Sequence, residues 1–107
     1  MWEERLKVYD ELLARCTRFE RKGKTMPYTS ANGHMFSLLN KDGEIGIRFS
    51  KEVQKKHIVE FDSTIFRSYN SVMHGYVLIP MNMLEDLDNL AKYLDESYDY
   101  VMSLEPK

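Results

Sequence analysis

Cysteine and long hydrophobic runs are the two features that this sequence most clearly lacks. Cys16 is its only cysteine, so no disulfide can form within the chain, and this usage favours the reducing cytoplasm. No apolar run approaches the roughly 18 residues that cross a bilayer. The start of the chain is acidic, with Glu3 and Glu4 where a secretory signal has basic and then apolar residues. We therefore expect a cytoplasmic protein with no signal peptide and no contact with a membrane.

The chain also lacks the residue clusters that carry catalysis or hold metals. His34, His57 and His74 are far apart, and none belongs to a group of ligands with the short spacings of metal sites. His34 and His74 each stand beside a glycine at a predicted strand start, which favours strand-edge or surface positions over a meeting across the sheet. Gly43 and Gly46 have a spacing like that of a phosphate loop but do not open a helix. These absences predict a protein that is not an enzyme and has no metal or cofactor.

The composition that remains is ordinary for a globular protein, with 43% hydrophobic and 30% charged residues among 107. This length predicts a single domain over 1–107. The net charge is −2, but the charges are unevenly distributed. Between positions 18 and 57 nine basic residues stand against four acidic ones, and between 81 and 104 six acidic residues stand against one lysine. The distribution fits two interpretations, either opposite solvated faces or a basic patch that meets an anionic partner.

Two segments have the periodicity of amphipathic helices. The first, 2–16, carries apolar residues on one face at Trp2, Leu6, Tyr9, Leu13 and Cys16. Cys16 therefore lies on the buried face and is expected to be unreactive. The second helix, near the end of the sequence, has a similar stripe formed by Leu84, Leu87, Ala91, Leu94, Tyr98 and Val101. The sequence allows two starts for this helix, one with a capping box formed by Asn82 and Glu85, and a later one capped by Asp86.

The segment between these helices alternates like strands separated by turns. Pro27 interrupts the first strand and marks it as an edge strand or a bulge. Asn32-Gly33 and Asp42-Gly43 are predicted turns, and Ser50 is the predicted N-cap of a short middle helix. The predicted strands are Lys24–Thr29, His34–Leu39, Glu44–Phe49, Ile65–Tyr69 and Tyr76–Ile79, with a turn at Asn70–Gly75, and the middle helix is Lys51–Glu60. This order predicts an α+β fold in which an antiparallel sheet, a three-strand meander plus a hairpin, has three helices packed on it.

Several local patterns, in this order, resemble the TfoX N-terminal domain family. They lie in Lys22–Glu52, which contains the Gly-x-Met-Phe strand and the Lys-Asp-Gly turn, and in Tyr69–Val101, where Leu90 and Tyr93 fit an acidic-helix motif. The resemblance runs from about residue 6 to 104 and reaches more loosely toward the YjbR-like fold, which is sometimes described as DNA-binding. One departure is Met26-Pro27-Tyr28, where family members have Met-Phe-Gly-Gly. The resemblance implies a stand-alone regulatory module and brings no catalytic residues with it.

Two functional hypotheses follow. The preferred one, from the resemblance, is a regulatory module that contacts an unidentified protein partner or a second copy of itself. It predicts an apolar sheet face or edge that is left open. The alternative is binding of an anion or a nucleic acid through the basic segment, which predicts that its cations share one face. The candidate binding residues are Lys22, Lys24, Arg48, Lys51, Lys55 and Lys56.

Overall fold

A computed structural model describes residues 2–68 and 70–107 and confirms the α+β class. The elements are α1 (Trp2–Ala14), β1 (Tyr28–Ala31), β2 (His34–Leu39), β3 (Ile45–Arg48), α2 (Lys51–Glu60), β4 (Ile65–Ser68), β5 (Ser71–Leu78) and α3 (Leu87–Met102), with a short 3-10 helix at Met81–Glu85 before α3. Within the described residues, none of these helices has the length and apolar character that crossing a membrane requires.

The five strands form one antiparallel sheet in the order β1-β2-β3-β5-β4. The first three strands make the predicted meander, and the β4–β5 hairpin joins the meander through β5. α1 and α3 pack against each other and against β2, while α2 packs against β5. The helices and the sheet enclose the main core, whose largest fully buried side chains include Tyr9, Leu12, Phe36, Leu39, Ile45, Ile47, Phe49, Val77, Leu90 and Leu94. The predicted layering of helices on an antiparallel sheet is therefore confirmed.

A β-bulge in β2 places two consecutive side chains, Phe36 and Ser37, on the face covered by the helices. The register between β1 and β2 shifts at this point, so that β2 has one residue more than its partner. The Ser37 hydroxyl lies 2.7 Å from the Tyr9 hydroxyl and 2.5 Å from the Thr29 hydroxyl, and all three residues are fully buried. Burial raises the pKa of Tyr9 well above its usual range. The bulge thus provides the buried Tyr9 hydroxyl with a hydrogen-bonding network that includes hydroxyls from β1 and β2.

The face of the sheet opposite the helices is covered at its centre by the side chain of Phe66, a residue of the edge strand β4. The Phe66 ring of β4 lies directly over Gly46 of β3, where a side chain on Gly46 would meet it. Asn40, which follows β2, donates from Nδ2 to the Arg67 carbonyl of β4 at 3.0 Å. Leu38 and Phe66 are consequently fully buried on this face, although no helix covers them. Around them are the half-buried Met26, Tyr28, Met35, Met73 and Leu78. The centre of this face is therefore not the open apolar surface that the hypothesis of protein contacts expects.

The first predicted strand begins later than expected, at Tyr28 instead of Lys24. Gly23 has a φ of +80°, which turns the chain back on itself. The backbone of Lys22 then pairs with that of Tyr28 through two hydrogen bonds, of 2.7 and 3.0 Å. Residues 23–26 consequently form a small loop outside the sheet, and at Pro27 the carbonyl accepts from the Leu39 N–H of β2 at 2.9 Å.

The predicted turn at Asn70–Gly75 is also wrong, because the last strand starts five residues earlier than the predicted Tyr76. Ser68 pairs directly with Ser71, so the hairpin turn is tight. Asn70 has a φ of +63°, a conformation that asparagine tolerates in such turns. Tyr69, the predicted last residue of the preceding strand, lies outside the described residues.

The helix boundaries differ from the predictions by a turn or less at two ends. α1 ends at Ala14, but a following turn, in which the Cys16 N–H donates to the Leu13 carbonyl at 3.0 Å, keeps Cys16 buried as predicted. α3 begins at Leu87, and its N-cap is Asp86, whose side chain accepts from the Asn89 N–H at 3.2 Å. Of the two predicted starts for this helix, the cap at Asp86 is therefore the one adopted.

Two asparagines that flank β2 fasten the first and last helices to the sheet. Trp2 Nε1 donates to the Asn40 carbonyl at 3.0 Å. At the other end of β2, Asn32 Nδ2 donates to the carbonyls of Val101 and Leu104 at 2.9 and 2.8 Å. The Val101 carbonyl also accepts from the Leu104 N–H at 3.2 Å, so the Asn32 bonds add a link from the end of α3 to the turn before β2.

Part of the uneven charge distribution is neutralised by ion pairs with α3. Arg18, in the basic segment, lies 3.1 Å from an Asp95 oxygen and 2.8 Å from an Asp99 oxygen. Arg15, at the end of the first helical segment, lies 2.8 Å from Asp88. The acidic helix and the arginines after α1 therefore face each other and do not form two separate charged surfaces.

The Cys16 thiol gives a first testable prediction. Burial raises the pKa of this thiol to about 11, from an ordinary value of 9.0. A rise of this size leaves about a hundredfold less thiolate at neutral pH, so we expect alkylation by iodoacetamide to be about a hundredfold slower in the folded protein than in urea. Mass spectrometry of the alkylated fraction over time measures this ratio. Equal rates in the folded and unfolded protein would contradict the buried position of Cys16.

Candidate anion-binding site

Two of the predicted binding residues, Arg48 and Lys51, line one cleft at the end of the sheet. The cleft has a volume of about 350 Å³ and opens to solvent. Its walls come from the end of β3, the first turns of α2, the middle of β5 and the last turns of α3. The lining residues are Arg48, Phe49, Lys51, Gln54, His74, Gly75 and Tyr100. Four elements that are distant in sequence therefore converge on one cationic site.

One wall of the cleft is a wide bulge in β5. In the β4–β5 ladder, Val72 pairs with Arg67 and Val77 pairs with Ile65. Four residues of β5 therefore stand opposite the single residue Phe66 of β4. The surplus residues bend out of the ladder and bring His74 and Gly75 to the wall of the cleft. Bulges of this kind redirect side chains and occur often beside functional sites.

Gly75 allows the Arg48 side chain to lie against the β5 backbone. Gly75 has a φ of +86°, which L side chains rarely adopt. A Cβ at this position would lie 3.2 Å from the Phe49 carbonyl oxygen and 3.4 Å from Cγ of Arg48. A larger residue here would therefore both strain the backbone and displace the arginine.

The half-buried guanidinium of Arg48 is held from the side of α3. Its Cζ lies 5.7 Å from the centre of the Tyr100 ring, within the range of a cation–π contact. The Ser97 hydroxyl, one turn earlier in α3, bonds to the Arg48 carbonyl. No carboxylate among residues 2–68 and 70–107 lies within ion-pair distance of Arg48 or Lys51. Both cations therefore keep their charges available to the cleft.

The first turn of α2 is fixed onto the sheet by its own cap and by Gln54. The Ser50 hydroxyl accepts from the Val53 N–H at 3.3 Å, as predicted for this N-cap. Gln54 Nε2 donates to the Tyr76 carbonyl of β5 at 2.9 Å. Lys51, the first residue of the helix, is consequently held at the edge of the cleft with little freedom in its backbone.

The far end of α2 is joined to α3 through the buried His57. Its Nε2 lies 2.8 Å from a Glu96 carboxylate oxygen, and its Nδ1 lies 3.2 Å from Glu60. The His57 ring stacks on Phe61 and meets Tyr93 edge-on. α2 is therefore anchored at both ends, which fixes the wall of the cleft to which it contributes Lys51 and Gln54.

The other predicted binding residues lie outside the cleft. Lys24 lines a separate, shallow depression with Trp2, Thr25 and Lys41. Because Lys41 precedes β3 and Arg48 ends it, the two depressions lie at opposite ends of this strand. Lys22 pairs through its backbone with Tyr28, and Lys55 and Lys56 are exposed on α2. The structure therefore brings together two of the six candidates.

The two histidines that the sequence places beside glycines do not meet. His34 is in β2 and His74 is in β5, and β3 lies between these strands. His34 Nε2 donates to the Glu105 carbonyl at 2.8 Å. Among the described residues no group of histidine, cysteine, aspartate and glutamate is arranged to hold a metal ion.

Sequence analysis missed His74, Gln54 and Tyr100 as members of the site. The His74-Gly75 pair falls in the stretch that the sequence predicted as a turn, whereas the structure places it in β5, where glycine marks a bulge or a close backbone approach. Nothing in the sequence pairs this bulge with Arg48 or with the end of α3. Comparisons of the chain with known protein families, with curated proteins and with solved structures find no match. The resemblance to the TfoX N-terminal domain therefore stays a prediction.

Proposed function

We propose that this domain is a non-enzymatic binding module that recognises an anionic group in the cleft lined by Arg48 and Lys51. The supporting observation is the contrast between Arg48 and the arginines that follow α1. Arg15 and Arg18 pair with aspartates of α3, and Arg21 pairs with Asp10. Arg48 is more buried than these three, yet it has no such partner among the described residues.

A partly buried cation without a counter-charge is costly, and a bound anion lowers that cost. Among the polar residues that line the cleft, donors outnumber acceptors, since Arg48, Lys51, His74 and Tyr100 can each donate a hydrogen bond from the side chain. Gln54 adds the one side-chain carbonyl of the lining. This composition supports an anion as ligand, and the lining that the structure describes includes no serine, threonine or cysteine nucleophile and no carboxylate general base.

The test is titration of the ¹⁵N-labelled protein with inorganic phosphate at low ionic strength, followed by amide chemical shifts. We expect the largest shifts at Arg48, Lys51, Gly75 and neighbouring amides. In Arg48→Gln the affinity is expected to fall about 10- to 100-fold, because a hydrogen bond to a charged group contributes about 1.5–3 kcal/mol.

Arg67→Gln is the matched control, since Arg67 is an exposed arginine of β4 that does not line this cleft. Its affinity for phosphate is expected to stay within about twofold of the unsubstituted protein. Equal losses in Arg48→Gln and Arg67→Gln would indicate binding to net charge alone and would contradict the proposed site.

The same cleft bears on both functional hypotheses from the sequence. A protein partner could bind by placing an anionic group in this cleft. Protein contacts therefore remain a proposal, although they would not use an open face of the sheet. A nucleic acid would bring phosphates, and its binding is expected to weaken steeply between about 50 and 200 mM salt. Fluorescence anisotropy with labelled single- and double-stranded DNA at these two salt concentrations separates the two sources of the anion.

A further inference from the structure

We propose that the cleft recognises a phosphate monoester, the terminal phosphate of a small molecule or of a modified side chain, and not the phosphodiester backbone of a nucleic acid. This inference rests on the proposed function and narrows its ligand to one chemical class. It follows from the number of donors in the cleft, from the charges around it and from its size.

The donors reach the cleft from four different elements, so they surround a ligand and do not lie along one line. Arg48 presents a planar fork that suits two oxygens of one phosphate, and Lys51 adds a compact positive charge. His74 and Tyr100 also line the cleft, and each can donate a hydrogen bond from its side chain. A monoester offers three terminal oxygens and a charge of about −1.5 to −2 near neutral pH. A diester offers only two free oxygens and a single charge, and it leaves part of this donor set unused.

Beyond the cleft the positive charge continues along α2 for about one helical turn, at the exposed Lys55 and Lys56. Proteins that bind single strands follow the backbone with a cationic groove several nucleotides long. Here Lys24 lies at the opposite end of β3, in a different depression. The cations that the structure describes beside the cleft therefore span about one helical turn, which suits a single terminal phosphate and is shorter than a groove that follows several nucleotides.

The size of the cleft leaves room for the group that carries the phosphate. Its volume of about 350 Å³ corresponds to roughly twelve waters at about 30 Å³ each. The Tyr100 ring, which packs beside Arg48, supplies apolar surface next to the donors. A phosphate bound to Arg48 and Lys51 would therefore occupy part of the cleft, and its ester group would occupy the rest.

The experiment compares two ligands that differ in one methyl group, methyl phosphate and dimethyl phosphate, by ¹⁵N chemical shifts at pH 7.5. We expect methyl phosphate to bind at least about tenfold more tightly, with shifts at Lys51 and Gly75, and Arg48→Gln to remove most of this preference. Arg67→Gln serves as the control and is expected to keep the preference.

Further arms separate the sources of the phosphate. A short peptide with phosphoserine and the same peptide with serine report on a modified protein partner, and an oligonucleotide without a terminal phosphate reports on nucleic acid. Equal affinities for the two methyl esters, or tighter binding of the oligonucleotide than of methyl phosphate, overturn this inference while anion binding stands. Absence of binding by every anion overturns the proposed function together with it.

Discussion

Replacing Gly46 with alanine is expected to lower the free energy of unfolding by about 2–3 kcal/mol, because the new methyl group overlaps the Phe66 ring. Three carbons of this ring occupy the space where the Cβ would stand. Phe66 is fully buried, and close-packed interiors leave few voids that could take a displaced ring. Equilibrium denaturation in urea, followed by circular dichroism, measures the change. Strand propensity alone favours alanine over glycine and would make the variant more stable. A loss of stability would therefore be attributable to the overlap between the new methyl group and the Phe66 ring.

The control is the same substitution in a Phe66→Leu background, where the ring is absent. There we expect Gly46→Ala to cost at least about 1 kcal/mol less than it costs with Phe66 in place. An unchanged cost in the two backgrounds would falsify the position of the Phe66 ring over Gly46.

Replacing Asn40 with alanine is expected to lower the free energy of unfolding by about 3 kcal/mol. Asn40 is 2% exposed, and its side chain makes four hydrogen bonds. Its Oδ1 accepts from the N–H groups of Asp42 and Glu44, at 3.1 and 2.9 Å. Its Nδ2 donates to the Glu44 carboxylate and to the Arg67 carbonyl, at 3.1 and 3.0 Å. Alanine leaves these groups without partners, and each buried one costs about 1–3 kcal/mol.

Two further variants identify the cause of this loss. Asn40→Asp keeps both acceptors but removes both donors and brings a second carboxylate to Glu44, so we expect it to be destabilising as well. Asn82→Ala removes an exposed asparagine from the 3-10 helix and is expected to change stability by less than about 0.5 kcal/mol. Similar urea midpoints for Asn40→Ala and Asn82→Ala would show that the four hydrogen bonds contribute little.

Patterns of apolar residues were sufficient to predict the helices and the meander. The stripe from Leu87 to Val101 identifies α3 because one face of a helix repeats every 3.6 residues and only that face is buried. The turn at Asn32-Gly33 follows from the positive φ angles that both residues adopt. These features depend on residues that are close in sequence, and local periodicity therefore captures them.

The bulges were not predictable in the same way. In β2, Phe36 and Ser37 share a face because Ser37 bonds to Tyr9, a residue 28 positions away. In β5, the bulge at Gly75 accommodates Arg48 from another strand. Each bulge interrupts the alternation on which strand prediction rests, and its cause is a contact between distant segments. The cleft depends on the second bulge, which explains why only its two cations could be identified from the sequence.

The attachment of the first and last helices to opposite ends of β2 has a consequence for how the domain opens. Trp2 is bonded to Asn40, and the end of α3 is bonded to Asn32, so β2 cannot leave the sheet while either helix stays in place. If partial unfolding releases only one of the two terminal helices, the other helix remains bonded to β2. The amides of β2 are therefore accessible to hydrogen exchange only when the whole domain unfolds, and folding is expected to be one cooperative transition.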